Sequence, residues 1–120
     1  MRYHSDKRRT GYYDIFPNGD GDINLVHLEP FVPIAWHRHQ KQTDQIFVIN
    51  GVLRVKVFSR GERILTARPG DQEVYLIPSG AWHGYEALCD DTLILQFNGP
   101  SKWDGSDEER HPIDDEMPWT

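Results

Sequence analysis

The chain has 120 residues, a length that fits one domain with a single core. Hydrophobic residues make up 38% and aromatic residues 12%, a composition typical of a folded protein and not of a disordered one. The formal net charge is -6, from 13 basic and 19 acidic residues, which argues against broad binding to a nucleic-acid backbone. An anionic ligand remains possible if a few basic residues line one pocket.

The cysteine content and the lengths of the apolar runs indicate in which cellular compartment the protein is expected. Cys89 is the only cysteine, so an intrachain disulfide cannot form, which suits the reducing cytoplasm that we expect for this chain. The N-terminal residues lack the apolar run of a signal peptide, and the longest aliphatic and aromatic run, residues 46–49, is far too short to span a bilayer. We therefore expect neither a membrane partner nor a nucleic-acid partner.

Short apolar segments recur along the chain, and turn residues separate them. They predict eight strands, at residues 23–28, 34–39, 45–49, 52–58, 63–66, 73–77, 84–88 and 92–97. Asn50-Gly51 is typical of a two-residue hairpin turn. Short strands at this spacing predict an all-β sandwich or barrel.

Two of these segments alternate clearly between faces. In residues 52–58 the apolar Leu53, Val55 and Val57 alternate with Arg54 and Lys56, and residues 92–97 alternate in the same way. Arg54 and Lys56 share a face that could meet an anionic group. A solvent-exposed strand face is at least as good an interpretation of the same pattern.

The flanks of the predicted barrel, which covers about residues 23–97, differ from it in composition. Residues 1–22 are interpreted as an N-terminal arm, in which Lys7-Arg8-Arg9 is solvated. Residues 101–120 are interpreted as a solvated acidic C-terminal tail, because acidic side chains crowd this stretch. Apolar residues between 112 and 119 offer the alternative that the tail docks on the barrel. Residues 1–120 are then one domain.

Histidines at fixed spacing are the strongest chemical signal. His37 and His39 are two residues apart on a predicted strand, so they project to the same side. Asp44 follows at the start of the next strand and would return to that side if the two strands pair as a hairpin. His83 begins a later strand after a tight Pro-Gly turn and is a fourth candidate. Isolated strand histidines are more often exposed or structural, but this set is typical of a site for iron, manganese, nickel or zinc.

Tyr85 lies near this set. By strand parity it shares a face with His83, so it could act as an acid, as a stacking surface or as a wall of the site.

These motifs resemble those of the cupin superfamily. His37-x-His39-x4-Asp44-x6-Gly51 resembles the first cupin motif, with aspartate where glutamate is usual, and Pro78-x-Gly80-x2-His83 resembles the core of the second. The resemblance implies an all-β, single-domain cupin, that is, a double-stranded β-helix or jelly-roll barrel. It also implies a divalent metal ion held by His37, His39, Asp44 and His83.

A narrower resemblance concerns sugar-nucleotide enzymes. Residues 9–16, 47–55, 76–85 and 113–119 resemble segments of epimerases of the dTDP-4-dehydrorhamnose 3,5-epimerase type. In that family the first-motif histidine is the general base, a role that falls on His37, while Asp44 stands at a position of catalytic lysine. The dTDP-sugar 3,4-ketoisomerases, which act without metal, also carry His-x-His here, and their pair of proton-transfer residues corresponds to His37 and His39. Residues 27–100 also resemble small cupin-fold metalloproteins of O-antigen clusters.

The resemblance implies a metal-binding isomerase or epimerase that removes a proton next to a carbonyl in surface-carbohydrate biosynthesis. His37, His39 and Tyr85 would be its catalytic residues, and a sugar or sugar nucleotide its small-molecule partner. A homodimer is expected by the same resemblance. Two alternatives remain open: a cupin dioxygenase or decarboxylase that uses iron, manganese or nickel, and a non-catalytic cupin that binds metal or carbohydrate.

Overall fold

The computed structural model describes residues 1–58 and 60–110, and this part of the chain forms eleven strands. They are β1 (Arg2–Ser5), β2 (Arg9–Tyr13), β3 (Asp22–Leu28), β4 (Ile34–His39), β5 (Thr43–Asn50), β6 (Val52–Val57), β7 (Gly61–Thr66), β8 (Tyr75–Ile77), β9 (His83–Ala87), β10 (Thr92–Gly99) and β11 (Glu108–Arg110). Six strands form one antiparallel sheet in the order β1-β2-β3-β10-β5-β8. The other five form a second sheet in the order β11-β4-β9-β6-β7.

The two sheets face each other as a double-stranded β-helix, which confirms the predicted all-β cupin fold. Each of the eight predicted strands corresponds to a strand of the structure. The alternation in β6 places Leu53, Val55 and Val57 in the core, whereas in β10 it is Thr92 and Ile94 that face inward. Among the described residues there is no helix long and apolar enough to cross a bilayer.

The predicted hairpins are wrong. β4 pairs with β9 and β11, whereas β5 pairs with β10 and β8, so the two strands lie in opposite sheets. The turn at Asn50-Gly51 likewise carries the chain from β5 into β6 of the other sheet, and Gly51 provides its positive φ of 88°. A tight-turn signal fixes the local backbone, but the pairing of the strands depends on which sheet can cover their apolar faces.

The N-terminal residues do not form a free arm. β1 pairs with β2, and β2 pairs with β3, so both strands extend the six-stranded sheet. Strand parity turns Arg9 and Tyr13 toward the interior, on the same face as the buried Gly11. The interpretation of Arg8 and Arg9 as solvated residues is therefore wrong, since Arg8 is only 16% exposed and lies 3.9 Å from the Asp6 carboxylate, whereas Lys7 is exposed.

The acidic segment also packs on the barrel as far as it is described. Asp107 is 2% exposed and accepts hydrogen bonds from the backbone amides of Lys41 (2.5 Å) and Gln42 (3.1 Å). These contacts bring β11 beside β4. Residues 101–110 are thus attached to the barrel, although most of their side chains, including Asp104 and Glu109, are exposed as expected for an acidic segment. The docking alternative rests on residues 112–119 and stays a prediction. Residues 111–120, which include the epimerase-like segment 113–119, lie outside the described part.

The barrel interior is divided into an apolar half and a polar half. Val26 and Leu28 on β3 and Ile46 and Val48 on β5 belong to the apolar core. The other ends of the same strands place buried polar side chains inward, and so do β4, β9 and β10: Asp22, Asn24, His37, His39, Asp44, His83, Gln96 and Asn98. Because polar groups are costly to bury, the polar half of the barrel is where we expect a functional site.

Candidate metal centre

Four predicted ligands meet in the polar half of the barrel. His37 and His39 lie on β4, His83 begins β9, and Asp44 reaches them from β5 in the opposite sheet. Each residue offers one ligand atom, and these atoms all lie within 4.8 Å of one another. All four side chains are buried, with Asp44 and His83 each 1% exposed. The parity of the His-x-His pair is thus as predicted, although Asp44 arrives by a different route.

Hydrogen bonding fixes the orientation of His83. Its Nδ1 lies 2.9 Å from the carbonyl oxygen of Ala81, which can only accept, so Nδ1 carries the proton. Its Nε2 faces the centre, where it lies 2.8 Å from Oδ2 of Asp44, and in the neutral imidazole this nitrogen carries the lone pair that can bind a metal ion. The same carboxylate oxygen is 3.5 Å from Nε2 of His39, whose Nδ1 lies 3.8 Å from Asp107. An outer carboxylate beside a ligand histidine is a common arrangement at metal sites.

The unpartnered atoms of the cluster fit a bound cation. Both carboxylate oxygens of Asp44, Nε2 of His83 and Nδ1 of His37 are buried and have no hydrogen-bond partner in residues 1–58 and 60–110. A buried carboxylate without hydrogen bonds is strongly unfavourable unless a positive charge compensates it. Imidazole nitrogens with one carboxylate form a donor set that suits first-row divalent ions.

The environment of His37 keeps its imidazole neutral. Burial lowers the pKa of His37 well below its usual value, and the neighbouring His83 and His39 act in the same direction. The His37 ring centroid lies 4.2 Å from that of His83. A neutral imidazole at pH 7 is the form that can bind a metal ion or accept a proton.

Tyr85 stands beside His37, with 6.2 Å between the ring centroids. Burial raises the pKa of Tyr85, and the nearby Arg9 guanidinium, which is hydrogen-bonded to it, opposes that effect. The hydroxyl therefore holds its proton at neutral pH next to a neutral histidine. The two side chains together form a donor and an acceptor for a proton.

A cavity of about 380 Å³ opens above the cluster. Its lining includes both His37 and His39, Tyr85, and side chains that the sequence analysis did not select: Arg2, Arg9, Asn24, Gln96, Asn98 and Trp103. Strand parity was the signal available for Arg9, because it shares a face with Gly11 and Tyr13. The two basic residues that the sequence analysis did consider, Arg54 and Lys56, lie instead on the outer face of the five-stranded sheet, where Arg54 pairs with Glu86 (2.5 Å).

Trp103 is held at the edge of this cavity by two contacts. Its backbone amide donates to Oδ2 of Asp22 at 2.7 Å. The preceding Lys102 places its ammonium against the carboxylate of Asp14 and 2.9 Å from the carbonyl oxygen of Gly21. The segment after β10 is thereby fixed as a wall of the cavity.

Comparisons with known proteins agree with this architecture. No protein-family model matches the chain. The chain is 33% identical over 97 residues to the probable low-salt glycan biosynthesis epimerase Agl13 of Haloferax volcanii, a match that covers 71% of this chain and 62% of that protein. It therefore spans less than two thirds of the length of this relative.

A second relative is matched over more of its length, and a solved structure agrees in fold. The spore coat polysaccharide biosynthesis protein SpsL of Bacillus subtilis is 33% identical over 108 residues, which cover 80% of this chain and 70% of SpsL. The capsular polysaccharide assembling protein CapF of Staphylococcus aureus superposes with a TM-score of 0.75 at 18% identity, over 91% of this chain and 33% of CapF. That likeness shows the fold alone, whereas the one-third identity to SpsL shows kinship. By its fold, its two histidine motifs and this identity, the chain belongs to the cupin superfamily, in the same family as SpsL.

Proposed function

We propose that the chain is a metal-binding sugar-nucleotide isomerase or epimerase that moves a proton next to a carbonyl group. The observation that carries the proposal is the buried His37, His39, Asp44 and His83 cluster at the base of a polar cavity, with Tyr85 beside it. The names of Agl13 and SpsL, which refer to glycan and spore coat polysaccharide biosynthesis, support a sugar substrate.

In the proposed mechanism, some residues of the cluster bind the metal ion and another transfers the proton. His39, Asp44 and His83 would hold the divalent ion, with His37 within reach as a fourth ligand, and the chemistry that such an ion supplies is polarisation of the substrate carbonyl. His37, being neutral, accepts the proton from the carbon next to that carbonyl. If the cluster holds no ion, His39 takes part in this transfer as the second histidine.

Tyr85 is the proton donor in this proposal. Its hydroxyl keeps its proton at neutral pH, and Tyr85 lines the cavity together with His37. Return of the proton to the opposite face of the same carbon gives epimerisation. Return to the neighbouring oxygen-bearing carbon gives ketoisomerisation.

The first test is the metal content of untagged protein purified without chelators. We expect a near-stoichiometric divalent ion in the wild type and its loss in His39→Ala and His83→Ala, whereas His37→Ala, which removes the proposed base, should keep the ion. The matched control is His27→Ala, because His27 is a half-exposed histidine on β3 outside the cluster. A folded wild-type protein without metal would remove the ion from the proposal and leave the histidines as acid–base residues.

The second test is solvent exchange. Incubation of keto-sugar nucleotides with the protein in deuterated water should place deuterium on the carbon next to the carbonyl. Tyr85→Phe should keep the metal and lower the rate of exchange or turnover about 10²- to 10⁴-fold, the usual range for an acid–base residue. The absence of incorporation across a panel of such substrates would refute proton-abstraction chemistry.

The predicted homodimer has a candidate surface, the outward face of the six-stranded sheet. The cross-strand register aligns Tyr12, Leu25, Leu95 and Phe47 in one apolar row, and Leu95 is 39% exposed. A face with apolar rows and few charges suits a second copy of the same face, related by a two-fold axis.

Light scattering coupled to size-exclusion chromatography tests this surface. Leu95→Asp should give a monomer. Ile64→Asp is the matched control, because Ile64 is 43% exposed on β7 of the other sheet, and it should leave the oligomeric state unchanged. A monomeric wild type would contradict the proposal.

A further inference from the structure

A chain of amides on the inner face of the six-stranded sheet presents hydrogen-bond donors to the cavity. The backbone N–H of Asp14 donates to Oδ1 of Asn24 at 2.9 Å, which fixes the orientation of that amide. The Nδ2 of Asn24 must then donate, and it does so to Oδ1 of Asn98 at 2.9 Å and to Oε1 of Gln96 at 3.3 Å. With their oxygens engaged, Gln96 and Asn98 offer their NH₂ groups to a ligand.

Two arginines add further donors to the same cavity. Arg2 on β1 and Arg9 on β2 both line it, and both guanidinium groups lie against the ring of Tyr13, at 5.6 Å and 6.0 Å from its centroid. Arg2 also stacks over Trp103, at 4.9 Å from the ring centroid. Packing on the guanidinium faces leaves in-plane N–H groups for an oxyanion, in Arg9 those that are not hydrogen-bonded to Tyr85.

Neither arginine has a counter-ion within the described part of the chain. No carboxylate of residues 1–58 and 60–110 forms an ion pair with Arg2 or Arg9, and the buried Nε of Arg9 has no hydrogen-bond partner there. Two carboxylates line the cavity: Glu108 makes no ion pair with either arginine, and Asp22 accepts hydrogen bonds from Gln42 and Trp103. The Arg9 guanidinium is partly buried without a paired anion, which is unfavourable, so a ligand anion would stabilise it, whereas Arg2 is exposed and adds a further donor at the mouth of the cavity.

We propose that Arg2, Arg9, Gln96 and Asn98 form a donor-only subsite that binds the diphosphate of the substrate. This inference rests on the proposed function in one respect, since it assumes that the substrate is a diphosphate ester of a sugar whose sugar part reaches the histidine cluster. Two guanidinium groups and two amides offer more donors than the two oxygens of one carboxylate accept, whereas a diphosphate accepts from all of them. The subsite lies in the cavity on strands that carry none of the four metal-ligand candidates.

The test is calorimetric binding of uridine diphosphate, of inorganic pyrophosphate and of uridine to the full chain. We expect the two diphosphates to bind and uridine to bind at least about 10-fold more weakly, because one charge-assisted contact contributes about a factor of ten or more. Arg9→Gln and Arg2→Gln should each weaken binding of both diphosphates about 10-fold. Arg2 is the second variant because it lies on an exposed edge strand, where substitution leaves the core intact.

The matched control is Arg63→Gln on β7, whose guanidinium pairs with Glu73 on the protein surface at 2.7 Å. It should bind both diphosphates like the wild type. Affinities in Arg2→Gln and Arg9→Gln that equal the wild-type value would overturn the proposal, because binding would then occur elsewhere, as at the metal centre. Equal affinity for uridine, or no binding of either diphosphate, would overturn it as well.

Metal content is measured on the same samples, so that the two proposals can fail separately. Loss of diphosphate affinity in the arginine variants at unchanged metal content supports the subsite, whatever the outcome of the deuterium experiment. If the wild type binds metal and exchanges deuterium, but both arginine variants bind the diphosphates as tightly as the wild type does, the subsite alone is refuted.

Discussion

Removal of the Asp44 charge should change stability in opposite directions with and without metal. In metal-free protein the Asp44 carboxylate is 1% exposed, and its nearest polar neighbour is Nε2 of His83, 2.8 Å from Oδ2. Because such a charge carries a desolvation penalty of several kcal/mol, Asp44→Asn should stabilise the metal-free protein by about 1–3 kcal/mol. For a domain of this size, that corresponds to a rise in Tm of roughly 4 °C per kcal/mol.

With metal present, the sign should reverse. Loss of one ligand that weakens metal affinity about 1,000-fold removes about 4.1 kcal/mol of metal-linked stability, which exceeds the gain of about 1–3 kcal/mol expected without metal. At a saturating ion concentration for the wild type, Asp44→Asn should therefore unfold at a lower temperature than the wild type. The assay is thermal unfolding by circular dichroism, in chelator and in excess Mn²⁺, at fixed protein concentration.

Asp22→Asn is the control for this reversal. Asp22 is a buried aspartate on β3 that accepts hydrogen bonds from Gln42 (3.0 Å) and from the amide of Trp103 (2.7 Å). Its substitution should destabilise the protein by about 1–3 kcal/mol in both buffers. If Asp44→Asn behaved in the same way, with equal destabilisation in chelator and in metal, Asp44 would be a structural partner of His83, and the metal argument would fail.

Two further predictions concern stability. Gly51→Ala should cost about 3 kcal/mol or more in urea unfolding, because the new Cβ would lie 2.8 Å from Cα of Thr92, whereas Gly61→Ala has a similar φ of 87° with open space and should cost only about 1–2 kcal/mol of backbone strain; equal costs would contradict the steric account. Burial alone would raise the pKa of Asp6, but hydrogen bonds from His4 and from two backbone amides outweigh burial, and the net effect lowers the pKa from 3.8 to about 2. Because the folded-state pKa is depressed, Asp6→Asn should have a free energy of unfolding about 1 kcal/mol below that of the wild type above pH 4, after allowance for solvent screening. This difference should vanish as the pH falls from 3.8 to about 2. A difference that persisted at pH 2 would exclude the carboxylate as its source.

The sequence determines the metal-centre candidates better than it determines the topology. Strand parity is a local property, so the spacing of His37 and His39 was sufficient to place both on one face. Membership of a sheet is not local, so the sequence does not show that the hairpin through which Asp44 could return to the histidines is absent. It still reaches the histidines, because residues that face inward from opposite sheets of a barrel meet in the interior.

The flanking strands were missed for a related reason. β1 has four exposed residues and no apolar alternation, so its sequence carries no strand signal that can be distinguished from a solvated arm. Its place in the structure comes from the unpaired edge of β2, which its backbone completes. Arg9 likewise looks like part of a basic run until the neighbouring Gly11 and Tyr13 reveal an inward face.

The division of the interior explains why these flanks matter to the site. The polar half supplies little hydrophobic stabilisation, because its inward positions are occupied by side chains such as Asn24, Asn98 and His83. Backbone pairing of β1 and β2 on one sheet and of β11 on the other adds hydrogen bonds beside that half, and Asp107 caps the turn after β4. The segments that brace the polar half are also those that bring Arg9 and Glu108 to the cavity. Stability and ligand recognition therefore depend on the same strands. Deletion of residues 1–22, which contain β1 and β2, would lower the stability of the barrel and remove Arg9 from the cavity at once.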